Sequence, residues 1–303
     1  INGAPVPHSS TGAVATIPEA RRKGCAGAMM EECVRLLRQE NVFLSSLWPF
    51  SYEYYRKFGW EIGAEVRNYS ASAEVFAALG DTGESRRAEA EDTAQIRRVY
   101  EGWAQSFNCL TQRSQVWWER VVPFAVDAPV DGQGAFVHTT SGKIDAYAMY
   151  GLNREEQPSA NVLEMAFVQP EHRRSMLARL TTLVPGGTIS FSAPLDDLFM
   201  QEIPNPRQIN ASITPSFQFR VTDPPRAMEC LEVEEDVSGR VTFSIGDPVF
   251  KEGWSFGIEV DEGEVALVKP DSKRCLEMDV MTFARLYSGY LSAFDAADLG
   301  KVK

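Results

Sequence analysis

Histidine and cysteine are scarce in this chain of 303 residues, at three and five, and neither is spaced like a ligand set. His8, His138 and His172 lie far apart, which points to surface or hydrogen-bonding roles rather than to a metal. Cys25, Cys33, Cys109, Cys230 and Cys275 are odd in number, scattered and free of C-x-x-C pairs. That argues against a disulfide framework and a zinc site, and favours a reducing, cytoplasmic compartment. No apolar run approaches the length of a membrane span, and no basic segment leads into an apolar one at the start, so no membrane or export signal is read. Positive charge is also short. Thirty Lys and Arg against 42 Asp and Glu give a net charge of −12, which argues against nucleic acid and suits a cationic small molecule. What remains is ample core material, 44% hydrophobic with 11% aromatic and no low-complexity block, in a length that suits two or three domains.

The most informative stretch is VATIPEARRKGCA, Val14 to Ala26. A β-prone run, Val14 to Ile17, ends at Pro18; three cations follow at Arg21, Arg22 and Lys23; Gly24 then opens a helical pattern with Ala26, Met29, Met30, Cys33 and Leu37 on one face. Cations are disfavoured at a helix N-terminus, where unpaired N–H groups and the macrodipole already present positive charge. An anion offsets them, and glycine lets backbone approach it closely, so a phosphate or pyrophosphate fits at Arg21, Arg22, Lys23, Gly24, Cys25 and Ala26. A solvated basic loop before an ordinary helix is the plainer alternative.

Downstream, Val42 to Leu47 reads as a buried strand, followed by Pro49, the aromatic segment SYEYYRKFGW and a return strand from Trp60 to Val66. Arg-x-x-Gly-x-Ala at Arg21, Gly24 and Ala26 resembles the acetyl-coenzyme A loop of the GNAT acyltransferases. Tyr-x-x-x-Gly-Trp-Glu at Tyr55 to Glu61 resembles a second segment of the same superfamily. Within it, ATIPEARRKG followed by LWPFSYEYYRKFGWE looks most like the enhanced intracellular survival (Eis) family, and later segments extend the resemblance over essentially the whole chain.

The resemblance implies an α/β architecture with mixed sheets. An N-terminal GNAT domain would cover 1–68, a degenerate GNAT-like domain 69–217, and a sterol carrier protein-like α+β domain 218–303. In the second, residues 69–79 form a bridge and GDTGESRR a polar connection; helices follow from Ala88 through Ile96, Val99, Tyr100 and Trp103, then around Val116, Trp117 and Val121. Strands are expected at Gly134–His138, Ile144–Tyr150, Asn161–Val168 and Thr188–Ser192. LEMAFVQPEHRRSMLARL occupies the place of a second cofactor loop but has no glycine after Arg173 and Arg174, so this unit is read as structural. In the last domain Val241–Ile245, Trp254–Val260 and Glu264–Val268 read as strands and Asp279–Tyr290 as a helix; a packing domain is the plainer alternative to a lipid cavity. Several early GNAT strands and helices do not precede the loop, and the chain lacks the aromatic tail whose terminal carboxylate serves as base in the family. The natural protein is therefore expected to extend beyond Ile1 and beyond Lys303.

By resemblance, Tyr55 is the general acid that protonates the leaving thiolate of acetyl-coenzyme A; by its neighbours Tyr52, Tyr54 and Phe58 alone it is a core aromatic. Backbone groups of Val14, Ala15 and Thr16 hold the pantetheine arm and polarise the thioester, the Arg21–Ala26 loop holds the pyrophosphate, and Ser51 hydrogen-bonds nearby. No metal is assigned. The acceptor is expected to be a primary amine, an aminoglycoside or other polyamine, and the assembly a homo-oligomer, a trimer or hexamer, with no nucleic-acid or membrane partner. Glu53, Glu61 or water remain open as base. The alternative reading is a non-catalytic scaffold or sensor that binds coenzyme A or lipid.

Overall fold

Two parallel strand–helix–strand crossovers organise the protein, one in each of its two compact units, residues 1–65 together with 215–303 and residues 66–214. The computed structural model describes residues 1, 3–80, 83–120, 132–155, 157–271 and 275–303. Parallel neighbours need a long connection, and the helix supplies it in both cases. The mixed sheets and interspersed helices give the expected α/β class.

In the first unit His8–Ser10 runs parallel to Leu44–Leu47, joined by the helix Cys25–Gln39. Gln218–Val221 lies antiparallel between Leu44–Leu47 and Glu61–Ile62, so a strand more than 150 residues away in sequence completes this sheet. The family resemblance places that segment at the head of the last domain. Its four residues are all buried, Arg220 included. The strand expected over Val14–Ile17 is not formed. The paired strand ends at Ser10, Thr11 donates a last backbone bond to Ser46 at 2.8 Å, and Ala13 at φ 55° turns the chain off the sheet. The helix buries Met30 and Val34, with Ala26, Cys33 and Leu37 half-buried, while Met29, expected on the same face, is 46% exposed.

A second sheet in this unit has the order Glu264–Val268, Trp254–Asp261, Gly239–Gly246 and Cys275–Asp279, the last pair parallel. The three strands expected here and the helix, found as Val280–Tyr287 with Asp279 as its N-cap, are present; Cys275–Asp279 was not foreseen. Phe243, Phe256, Phe283 and Tyr287 stack between helix and sheet. The same helix also packs on Gln218–Val221 and Glu61–Ile62.

The second unit is built on a seven-stranded sheet in which Asn210–Pro215, Glu65–Ser72, Thr188–Pro194, Ser159–Phe167, Lys143–Asn153, Gln133–Thr140 and Glu84–Arg87 lie side by side. The predicted return strand from Trp60 to Val66 is instead two strands, Glu61–Ile62 in the first sheet and Glu65–Ser72 in this one; the expected bridge at 69–79 begins as strand and ends in the helix Ala73–Ala77. The four strands expected between Gly134 and Ser192 form, as do the helix Thr93–Ala104 and a helical segment at 115–120. Val121 lies outside the described residues. Apolar clusters cover both faces, one around Phe76, Met176, Leu180 and Phe191, the other around Ile96, Tyr100, Trp118 and Tyr147. No helix among the described residues is long and apolar enough to cross a membrane.

Candidate active site

The loop before the first crossover helix has the backbone of an anion cradle. Arg22 at φ 60° and Gly24 at φ 83° are both left-handed, and alternation of this kind turns successive N–H groups toward one point. A Cβ on Gly24 would meet nothing within 4 Å, so glycine is needed there for its backbone angle and not for space. No side chain caps the helix and no acidic residue stands in its first turn. Its leading N–H groups and dipole therefore face outward uncompensated. Arg21, Arg22, Lys23, Gly24 and Cys25 are exposed and Ala26 is half-buried; Arg21 Nε donates to the Thr16 carbonyl at 3.2 Å, and none of the three cations is in an ion pair among the described residues.

Val14, Ala15 and Thr16 follow the point where the parallel strands separate, so their backbone groups are not committed to the sheet. Val14 packs against a cluster of Met30, Val34, Leu47, Tyr55, Phe58, Trp60, Val249 and Phe250. This brings the segment after the first strand, the helix Cys25–Gln39 and the aromatic motif to one place. The first turn of the helix closes on it as well, since a Cβ on Gly27 would touch the Phe58 ring at 3.6 Å.

Tyr55 sits in the short helix Tyr52–Arg56, which Ser51 caps by accepting from the Tyr54 N–H at 3.3 Å. Ser51 thus has a definite local task that the sequence reading did not assign. The Tyr55 ring is 4% exposed, edge-on to Tyr54 at 5.2 Å and to Phe50 at 5.4 Å. Burial, and then the neighbouring Tyr54, push its phenol above the ordinary value of 10.0. It therefore carries its proton throughout the neutral range, as an acid must. Tyr54 does not point away from this group. Its hydroxyl is buried and without a hydrogen-bond partner among the described residues, its ring packs on Tyr55, Phe50 and Phe58, and burial raises its phenol too.

The rest of the motif is scaffold. Gly59 has φ 88°, and a Cβ there would lie 2.8 Å from Arg220 Nε and 2.9 Å from Val280 Cγ1, so no other residue fits. Glu61 accepts from Arg56 Nε and Nη2 at 2.8–3.1 Å and from the Ile62 N–H at 2.8 Å, with Arg285 at 3.4 Å. Burial alone would raise its carboxyl, but the Arg56 and Ile62 hydrogen bonds and the charge of Arg285 hold it below the usual range. So tethered, it is poorly suited to take a proton from an amine, whereas Glu53 is exposed.

Sequence reasoning missed the residues that fix this geometry. Gln218 Nε2 reaches the carbonyls of Tyr52 and Trp60, both at 3.3 Å, and so pins the two ends of the motif. Arg220, fully buried, donates to Asp247 and to the Val221 carbonyl, each at 2.6 Å; Asp247 also accepts from Val249, Phe250 and the Trp254 indole. Only the alternation in QFRV hinted at a strand; nothing local revealed its partners. Beside Tyr55, Phe50 is 74% exposed; Trp48, 67% exposed, meets Phe217 edge-on at 5.1 Å.

The second crossover lacks such a cradle. Its helix, Pro170–Thr181, starts at a proline, and Arg173 is buried and paired with Asp197 at 2.6 Å and with Glu202. Where Ser159–Phe167 leaves its parallel neighbour beyond Val162, Glu164 is held by Arg113 and by the Tyr147 hydroxyl. The place a second cofactor loop would take is thus filled by the protein's own ion pairs.

Residues 1–63 match the family of the acetyltransferase (GNAT) domain, residues 109–221 a second acetyltransferase (GNAT) domain, and residues 224–303 the sterol carrier protein domain. No curated protein matches the chain. Among solved structures, a GCN5-related N-acetyltransferase from Anabaena variabilis superposes with a TM-score of 0.86 at 16% identity, over 100% of this chain and 77% of its own. A conserved protein from Enterococcus faecalis, described as a probable N-acyltransferase, gives 0.87 at 20% identity over 100% of this chain and 76% of its own. Eis1 from Mycobacterium abscessus gives 0.76 at 20% identity over 99% and 78%. At such identities the likeness is one of fold. Joined to two acetyltransferase domain matches that together take in more than half of the sequence, it has a plain consequence: the chain belongs to the GNAT acetyltransferases, as a tandem GNAT protein closed by a sterol carrier protein domain in an Eis-like architecture.

Proposed function

We propose that the protein is an acetyl-coenzyme A-dependent N-acetyltransferase acting on primary amines, and that the reaction takes place in its first unit. The observation that carries this reading is the uncapped helix Cys25–Gln39 behind two left-handed residues and three cations with no ion pair among the described residues. Such a cradle suits a pyrophosphate, which N–H groups of the loop and Arg21, Arg22 or Lys23 would hold. Acetyl-coenzyme A supplies the activated acyl group. Backbone groups of Val14, Ala15 and Thr16, free of sheet bonding, orient the thioester and polarise its carbonyl. Tyr55, neutral and shielded, donates its proton to the departing sulfur. Phe50 and Trp48 offer exposed ring faces on which an ammonium-bearing acceptor rests, which supports polyamines and aminoglycosides as the acceptor class. Free, scattered cysteines suit a reducing cytoplasm.

Gly24→Glu tests the cofactor site. It forces a side chain into a left-handed angle and sets a carboxylate where the anion belongs, so calorimetry is expected to show coenzyme A binding lost while the circular dichroism stays native. Undiminished affinity would sink the assignment. On assembly the proposal is a homo-oligomer, trimeric or hexameric; light scattering at micromolar concentration that reports a monomer counts against it.

A further inference from the structure

Two histidines that sequence separates by 34 positions meet in the second unit with a carboxylate between them. Lys143–Asn153 pairs with Gln133–Thr140 so that Ala146 faces His138 while Ile144 faces Thr139, which leaves Asp145 as the extra residue of a β-bulge. A bulge re-aims the side chain it carries. Here it turns the Asp145 carboxylate to the face of His138, whose Nδ1 lies 2.5 Å from Oδ1. His172, in the first turn of the helix Pro170–Thr181, brings Nε2 to 3.6 Å from Oδ2 and stacks its ring on His138 at 5.2 Å.

Only half of this arrangement is explained by hydrogen bonding. The contact between His138 and Asp145 is a good one, but 3.6 Å is too long for a bond between His172 and Oδ2. The Nδ1 atom of His172 is also buried with no partner among the described residues. The His172 ring, 14% exposed, is thus held with Nε2 facing the carboxylate but not bonded to it, a gap that a bound ion would fill. The spacing suggests what. Ligands about 2.0–2.2 Å from a tetrahedral zinc stand roughly 3.4 Å apart, close to the Oδ2–Nε2 separation. All three residues can bring a donor atom within 4.8 Å of the others.

We propose that His138, Asp145 and His172 bind a divalent metal of the zinc class. Two imidazoles and one carboxylate are the donor set such an ion takes with an open fourth position. On binding, the ion replaces the proton between His138 Nδ1 and Asp145 Oδ1, and these atoms move apart to ligand spacing. The site ties the bulge of the hairpin to the start of the crossover helix. It is independent of the acetyl-transfer reading, being wholly within residues 66–214.

The full chain, stripped with a chelator and titrated with cobalt(II), tests this. One cobalt per chain is expected, with the visible bands of four-coordinate nitrogen and oxygen ligation. Asp145→Asn and His172→Gln should each weaken it by about a hundredfold or more. His8→Gln removes the remaining histidine, which bonds Ser46 at 2.8 Å in the other unit, and should leave binding unchanged. Substoichiometric cobalt, or binding that the two site variants retain in full, would overturn the proposal. The spectrum of the unaltered protein decides if a variant does not fold: the near-ultraviolet charge-transfer band of thiolate ligation would place the ion on cysteine and equally defeat it.

Discussion

Replacing Tyr55 by phenylalanine is expected to lower turnover of acetyl transfer by roughly a hundred- to ten-thousand-fold while coenzyme A affinity stays the same. The ring of Tyr55 is part of the packed cluster with Met30, Val34 and Trp60, and phenylalanine keeps it there; only the proton is lost. Steady-state kinetics with free-thiol detection, read beside calorimetry, separates the two effects. Tyr54→Phe is the control. Its hydroxyl is buried without a partner among the described residues, so removing it relieves an unsatisfied polar group and should leave stability equal or slightly higher, with turnover nearly unchanged. Full activity in Tyr55→Phe would make the motif's tyrosine a packing residue. A collapse in Tyr54→Phe alone would move the acid one position along the chain.

The second large effect concerns stability. Asp247→Ala is expected to cost about 3–5 kcal/mol, because it strands the guanidinium of Arg220 in the interior, where both partners now have no side-chain exposure. The N–H groups of Val249 and Phe250 and the Trp254 indole lose their acceptor as well. Arg220→Met with Asp247→Leu should cost much less than the single change, since no charge is then buried unpaired. Denaturant midpoints for the three proteins measure this. A loss below about 1 kcal/mol in Asp247→Ala would mean that water or another group reaches Arg220. The same pair bears on activity: Arg220 fills the space beside Gly59, within the motif that carries Tyr55, so the single variant should also lose turnover.

The positions of these partners explain which parts of the protein could be read in advance. The three-cation loop, Gly24 and the following helix are local features: their signal is a run of neighbouring residues whose charges and angles conflict unless an anion is added. Tyr55 to Glu61 was legible for the same reason, as a motif on one short helix and its exit turn, and Gly59 shows its cause in a positive angle and a crowded Cβ. The strands of the second unit announced themselves as short apolar runs, buried continuously in two of them.

Pairings between distant segments carried no such signal. That Gln218–Val221 would enter the first sheet, that Val14–Ile17 would leave it, and that a buried Arg220 would find Asp247 depend on which edges and charges meet once the chain is compact. The histidines make the point most sharply. Scarcity and wide spacing along the chain spoke against a shared site for His138 and His172, yet one extra residue in a hairpin turns Asp145 inward and brings both rings onto it. Sequence by itself determined the local features, the cation-rich loop with its left-handed glycine before a helix and the aromatic segment closed by Gly59, because those follow from neighbours in covalent order. The tertiary structure decided what surrounds them, because burial, ion pairing and ligand spacing are set by contacts between residues that the chain order keeps apart.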